Sequence, residues 1–220
     1  MPVQVKICGT TSPRDARLSH EAGADFLGVI LHHPRSPRSV SLQTAREIGA
    51  ATSLPIVAVT VNQTFEALLE IAEILRPHAL QLHGDESPQL VEQLSARGLR
   101  VWKAISGDQN TLFSQAQAFR GAGADAILVD AREVSPQGVV YGGTGKRADW
   151  NAARSLVESG FRVVLAGGLA PENVERAIET VQPWGVDVVS GVEATKGVKL
   201  HQAVLEFVVR AKRLDRTQPL

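Results

Sequence analysis

The sequence predicts an α/β fold, a single-domain (β/α)8 barrel of the TIM type, and three observations predict it. Short runs of β-branched and aliphatic residues alternate with longer helical patterns eight times, the rhythm of βα units joined into a parallel sheet. The 220 residues fall within the roughly 200–250 that such barrels occupy undivided. No linker or low-complexity stretch interrupts them, so one domain is expected over 1–220, with a loose tail at 215–220.

The strand candidates, in order, are Val3–Cys8, Phe26–Leu31, Ile56–Val61, Ala79–His83, Val101–Ala104, Ala126–Asp130, Val163–Ala166 and Val186–Val189. Between them the pattern predicts helices at Pro13–Glu21, Leu42–Ala50, Phe65–Leu75, Pro88–Ala96, Thr111–Phe119, Ala148–Ser159, Pro171–Thr180 and His201–Arg213. Ser12-Pro13, Ser87-Pro88 and Ala170-Pro171 place proline where a helix opens, and the serines can cap a free backbone N–H. A glycine precedes the next strand in Gly23-Ala24-Asp25, Gly123-Ala124-Asp125 and Gly185-Val186-Asp187. There it can end the preceding helix in a left-handed conformation.

Composition narrows the partners. Lys and Arg total 23 against 23 Asp and Glu, so no overall field favours nucleic acid or an anionic membrane surface. A small-molecule partner is expected. The single cysteine excludes an intrachain disulfide and a cysteine-rich metal site. The start Met1-Pro2-Val3-Gln4 lacks a secretory apolar segment, and no apolar run reaches the roughly 18 residues of a membrane span. The cytosol is the expected compartment, for a monomer or a homodimer.

Parallel-strand geometry brings residues at strand C-terminal ends to one mouth. Strand alternation puts Gln4, Lys6 and Cys8 on the barrel-facing side, with Cys8 nearest the top and Lys6 deeper. The same parity turns Leu128 and Asp130 inward. Two proton-transfer groups far apart in sequence can then face one substrate.

Glycine clusters supply a second theme. Gly142-Gly143-Thr144-Gly145-Lys146 follows the sixth strand, Ala166-Gly167-Gly168-Leu169 the seventh and Ser190-Gly191-Val192-Glu193 the eighth. Glycine lets backbone N–H groups approach an anion, and in this barrel the loops after strands seven and eight commonly hold phosphate. Gly143, Gly145, Gly167, Gly168, Ser190 and Gly191 are the phosphate-binding candidates. The first cluster lacks the spacing of a Walker A loop.

Several segments carry a family resemblance. Lys6-Ile7-Cys8-Gly9, Leu80 through Glu86, Asp130 followed by Gly142-Gly143-Thr144-Gly145, Ala166 through Leu169 with Pro171-Glu172-Asn173-Val174, and Val188 through Glu193 together resemble the phosphoribosylanthranilate isomerases of tryptophan biosynthesis. The resemblance implies a (β/α)8 barrel that needs no cofactor. It implies the Amadori rearrangement of N-(5-phosphoribosyl)anthranilate to 1-(2-carboxyphenylamino)-1-deoxyribulose 5-phosphate. It also implies Cys8 as general base and Asp130 as general acid.

Chemistry agrees with those two roles, since ring opening needs a proton for the departing oxygen and the double-bond shift needs one removed from C2′. The acid must carry its proton, and the base must have lost its own, when substrate binds. Pro34-Arg35-Ser36-Pro37-Arg38 resembles the family loop whose arginine recognises the anthranilate carboxylate, a role that falls to Arg38; a guanidinium suits it because its planar fork donates two hydrogen bonds. His83 and Asp187 are further candidates for substrate contact. His32-His33 departs from the family, in which aromatic side chains commonly precede the arginine loop. Gly197-Val198-Lys199-Leu200 departs too, where aspartate often follows the lysine; this bears on capping of the last helix. Adjacent histidines in extended backbone point opposite ways, so no metal is expected at His32-His33. Two rivals stay open: a phosphosugar synthase or lyase using Lys103, at the end of the fifth strand, as an acid or imine-forming group, and a phospholigand-binding barrel without turnover.

Overall fold

The computed structural model describes residues 2–135, 138–141 and 148–213. Eight parallel strands form the barrel: β1 (Gln4–Cys8), β2 (Phe26–Leu31), β3 (Ile56–Thr60), β4 (Ala79–Leu82), β5 (Val101–Ile105), β6 (Ala126–Val129), β7 (Val163–Leu165) and β8 (Gly185–Val188). Each pairs with its sequence neighbour, and β1 pairs with both β2 and β8, which closes the sheet. The helices are α1 (Pro13–Glu21), α2 (Leu42–Ala50), α3 (Phe65–Leu75), α4 (Pro88–Ala96), α5 (Gln109–Gly121), α6 (Trp150–Glu158), α7 (Val174–Val181) and α8 (His201–Arg213).

The helices begin where an oxygen can take an otherwise orphaned N–H. Ser12, Ser41, Thr64 and Ser87 each accept from the amide three residues on. Asp108 caps α5 the same way, starting it two residues before the expected Thr111. Asp149 caps α6 and moves its start from the expected Ala148 to Trp150. Pro171 does not open α7. Asn173 instead ties its side chain to Ala170 N and Gly168 O, at 3.0 and 2.9 Å, and the helix starts at Val174.

Gly23 and Gly123 take the left-handed conformation expected of them, with φ of +85° and +95°. Gly185 does not; it is the first residue of β8, and Gln182, at φ 51°, ends α7. Several expected strand ends, Val61, His83, Asp130, Ala166 and Val189, lie one residue beyond the observed ladder, and Val3 one before it. Those upper residues have left the sheet to form the mouth. The α8 N-terminus has Leu200 before it, which has no side-chain acceptor; the Leu200 amide is held by Val192 O at 2.9 Å.

Alternation divides the core into two shells. Ile7, Leu27, Leu82, Ile127 and Val186 face the helices, while Val57, Trp102, Leu128 and Val164 fill the barrel interior. At the N-terminal end Trp102 meets Phe26 at 5.3 Å and Trp184 at 5.7 Å between ring centroids, both edge-on, and His78 stacks obliquely on Phe26. This aromatic plug closes the end opposite the mouth. Truncating so large a buried side chain costs about 3–5 kcal/mol. Trp102→Ala should lower the urea unfolding free energy by that amount, while ligand binding by the folded protein at the far end stays near wild type.

Candidate active site

Cys8 ends β1 facing inward, 3% exposed. Its register partner on β2 is Gly28, where a built Cβ would lie 2.5 Å from Cys8 Sγ and 2.9 Å from Lys6 Nζ. Only a residue without a side chain leaves room for both atoms. Lys6 Nζ donates to Asp187 Oδ1 at 2.8 Å, with both side chains almost sealed from solvent. Burial pushes the Cys8 thiol up, the Asp187 carboxylate adds to this, and Lys6 and Lys199 pull it back without cancelling it. For Lys6, burial favours the neutral amine, but Asp187 and Cys8 outweigh it and hold the ammonium charged.

Asp130 follows β6, facing inward, and is held by two hydrogen bonds. Its Oδ1 accepts from Ala131 N at 2.7 Å, and its Oδ2 lies 3.2 Å from His83 Nε2. His83 Nδ1 is 2.8 Å from the Gln81 side-chain nitrogen. When Gln81 donates there, the ring proton sits on Nε2 and points at Asp130. Gly167 is packed here too, with its missing Cβ 3.0 Å from Asp130 Oδ1. A cavity of about 410 Å³ opens beside this pair, lined also by Glu86, Lys103, Ser114 and Gln115.

Lys103 pairs in register with Leu82 and Ile127, both on the helix-facing side. Its Nζ donates to the carbonyls of Leu82, Gly84 and Ala104 and, at 3.0 Å, to Glu86 Oε2. Glu86 in turn accepts from the amides of Asn62 and Gly84. Lys103 therefore knots the loop after β4 from outside the barrel. That contradicts its placement as an imine-forming group at the mouth: strand parity turns it away.

Arg38 reaches the opposite rim. Its Nε and Nη2 bind the two oxygens of Glu193 at 2.8 and 2.7 Å, while its Cδ lies 2.9 Å from where a Cβ of Gly9 would be. Glu193 begins a short hairpin, Glu193–Thr195 with Val198–Lys199. Lys199 Nζ anchors that hairpin to Cys8 O at 2.6 Å and Val189 O at 3.2 Å. The bonds from Glu193 raise the Arg38 guanidinium. For Glu193, burial is outweighed by Arg38, Lys199 and the Gly197 amide, so its carboxyl sits below its ordinary range.

The loops after β7 and β8 pack on each other, since a Cβ at Gly191 would strike Leu169 O and Ala170 Cα. Gly167 and Gly168 lie in the first loop, and Ser190 and Gly191 in a single helical turn within the second. Gly143 and Gly145 lie outside the described residues.

Comparison with known proteins bears on this geometry directly. The family model for N-(5′-phosphoribosyl)anthranilate (PRA) isomerase matches residues 5–210. The chain belongs to the N-(5′-phosphoribosyl)anthranilate isomerase family. A member from Haloferax volcanii is 40% identical over 95% of this chain and 93% of its own. One from Thermotoga neapolitana is also 40% identical, over 96% and 100%. The solved phosphoribosyl anthranilate isomerase of Thermotoga maritima superposes with a TM-score of 0.84 at 37% identity, covering 96% of this chain and 99% of that one. A phosphoribosyl anthranilate isomerase solved with reduced 1-(o-carboxyphenylamino)-1-deoxyribulose 5-phosphate gives 0.80 at 35%, covering 96% and 99%.

Within this family framework, Cys8, Asp130, His83 and Asp187 all face the barrel interior, and Asp187 is engaged across the ladder by Lys6. Lys6, Glu193, Lys199 and Gln81 were not among the expected site residues. Strand parity had already placed Lys6 inside, and Glu193 and Lys199 lie in segments singled out for other reasons; nothing in the sequence shows their pairing.

The Arg38–Glu193 tie generates a prediction. Truncating one partner of a buried, hydrogen-bonded charge pair costs about 2–5 kcal/mol, so Glu193→Ala should lose that much unfolding free energy at pH 7. A depressed carboxyl stabilises the fold above the ordinary glutamate value of about 4.3, and this contribution is lost as pH falls through the folded value. The gap between wild type and Glu193→Gln in urea unfolding should therefore be full at neutral pH and close under strongly acid conditions.

Proposed function

We propose that Cys8 and Asp130 carry out the family's isomerisation on N-(5-phosphoribosyl)anthranilate, with Cys8 as general base and Asp130 as general acid. The observation that carries this is their placement: both are inward-facing at C-terminal strand ends of one barrel mouth. Asp130 gives its proton to the furanose oxygen as the C1′–O bond breaks, leaving an iminium between C1′ and the anthranilate nitrogen. The Cys8 thiolate then removes the C2′ proton. The resulting enaminol takes a proton at C1′ and loses one from the C2′ hydroxyl, giving the ketose. His83 directs Asp130, and Asp187, whose Oδ2 has no hydrogen bond among the described residues, faces a sugar hydroxyl.

Arg38 recognises the anthranilate carboxylate. Glu193 occupies the Nε–Nη2 edge of the fork, which leaves the Nη1–Nη2 end for a second carboxylate. The phosphate is held by the paired loops of Gly167, Gly168, Ser190 and Gly191. No cofactor enters these steps. No helix among the described residues is long and apolar enough to cross a membrane, and we place the enzyme in the cytosol, where a phosphorylated anionic substrate would be made and retained.

Two variants separate the roles. A positioned acid or base contributes about 10²–10⁴-fold, so Cys8→Ser and Asp130→Asn should each lose at least 10²-fold in single-turnover rate while keeping their fold and product-analogue binding. Near-normal turnover in a folded, ligand-binding Cys8→Ser protein would sink the cysteine base; the same result for Asp130→Asn would remove the acid. Arg38→Ala removes a charge-assisted donor pair worth about 2–4 kcal/mol of binding. Its KM should rise steeply, and unchanged phosphate affinity with unchanged kcat/KM would show that Arg38 serves the hairpin alone.

The pH profile follows from the raised thiol. The base works deprotonated, so in Asp130→Asn, where the carboxyl no longer titrates, the residual kcat/KM should climb with pH through the neutral range and level off above the ordinary cysteine value of about 8.5. A profile that is flat from neutral to alkaline pH would contradict the assignment.

A further inference from the structure

The catalytic pair leaves one buried charge unexplained. Lys6 is 1% exposed, in the barrel interior directly beneath Cys8. Burying an ammonium and a carboxylate together is seldom the most stable solution, because well-packed apolar residues often do as well or better. Lys6 and Asp187 are held here nonetheless, at 2.8 Å, by the β1–β8 register. Two strands also converge to bring the ammonium to the sulfur: Cys8 Sγ and Lys6 Nζ both crowd the point where a Cβ of Gly28 would stand.

We propose that Lys6 is the positioning residue for Cys8: its ammonium, kept in place by Asp187, donates a hydrogen bond to the thiolate and makes that ion attainable in a site closed to water. This rests on Cys8 being the general base. Charged groups face the sulfur from three sides. Lys6 stands below it on β1, Asp187 at the level of Lys6 on β8, and Lys199 and Arg38 approach from the hairpin and the loop after β2. Burial and Asp187 oppose ionisation, and Lys6 is the cation that favours it most, its Nζ and the sulfur standing 2.9 and 2.5 Å from one point beside Gly28. Removing Lys6 leaves the opposing influences with Lys199 as the main counterweight. In the chemical step the thiolate takes the C2′ proton and becomes the thiol. Lys6 neither gains nor loses a proton; its hydrogen bond weakens as the sulfur is neutralised and strengthens when the thiolate is restored.

The presence of one cysteine in the whole chain makes the test direct, because the ultraviolet absorbance of the thiolate reports Cys8 alone once the Cys8→Ser signal is subtracted. An opposite charge within about 4–6 Å moves a pKa by roughly 1–3 units. Lys6→Met should therefore raise the ionisation midpoint by at least about one unit. Its kcat at pH 7 should fall by at least about tenfold and recover as pH rises, with KM little changed. Lys6→Arg should restore both the midpoint and the neutral-pH rate in part. A folded Lys6→Met protein with the wild-type midpoint would overturn the proposal, as would a rate loss equal at every pH.

Lys6→Met leaves Asp187 unpaired and can fail to fold, so a measurement on the wild-type protein stands beside it. With lysine labelled by nitrogen-15, the Lys6 Nζ resonance should shift at the pH where thiolate absorbance appears, and should not shift there in Cys8→Ser. A resonance that ignores the thiol titration in the wild type overturns the proposal. These midpoints are read without turnover, so a Cys8→Ser enzyme that still isomerised substrate would overturn the base assignment alone.

Discussion

The buried Lys6–Asp187 ion pair is the interaction on which the arrangement of the mouth depends. It exists only if β1 and β8 meet in the register that sets Lys6 opposite Asp187. A slip of one residue would turn every side chain of β1 to the other face, carrying the Lys6 charge into the apolar layer beneath the helices and leaving Asp187 buried without it. The same register that satisfies the pair lifts Cys8 to the top of the barrel. On the other side of β1, Gly28 is the condition for it, since any side chain there would displace sulfur and ammonium together. Specificity of register, rather than net stability, is what such a pair contributes best.

The two halves of the site are held by different physics. Around Cys8 the neighbours are charged and enclosed: Lys6 with Asp187, and Lys199 reaching the carbonyls of Cys8 and Val189 from the hairpin that Arg38 clamps through Glu193. Electrostatic influence is strong in such surroundings and falls slowly with distance. Around Asp130 the partners are a backbone amide and the imidazole of His83, itself oriented by Gln81. Cys8 is thus surrounded by formal charge, whereas Asp130 is set in a frame of hydrogen bonds beside an open cavity, which is the division the proposed base and acid roles call for.

Most of the architecture was legible in the chain because periodicity and punctuation are local. Helices α1 to α4 and α8 fall at their expected residues, since serine, threonine or proline marks the start in four of them. The misses have local causes as well. Asn173 outcompeted Pro171 as the start of α7 by bonding its own loop, and Gln182 rather than Gly185 took the left-handed turn. Parity placed Cys8, Lys6 and Asp130 inside the barrel from sequence alone. The same rule turns Lys103 to the helix-facing side, with Leu82 and Ile127, despite its place near the C-terminal end of β5. What no local signal shows is pairing across the fold: Arg38 with Glu193 spans 155 residues and Lys6 with Asp187 spans 181. Both partners stand in recognisable motifs, yet only the closed sheet reveals that they meet.

The most direct test is a crystal structure of this protein with the reduced product analogue bound. Cys8 Sγ should lie within about 4 Å of C2′, and the Asp130 carboxyl within hydrogen-bond reach, about 2.6–3.2 Å or through one water, of the oxygen that leaves the ring. The phosphate should rest on the loops of Gly168 and Gly191, with the benzoate at the free end of Arg38. A sugar seated with C2′ turned away from Cys8, or with another side chain between Asp130 and the ring oxygen, would contradict acid–base catalysis by this pair.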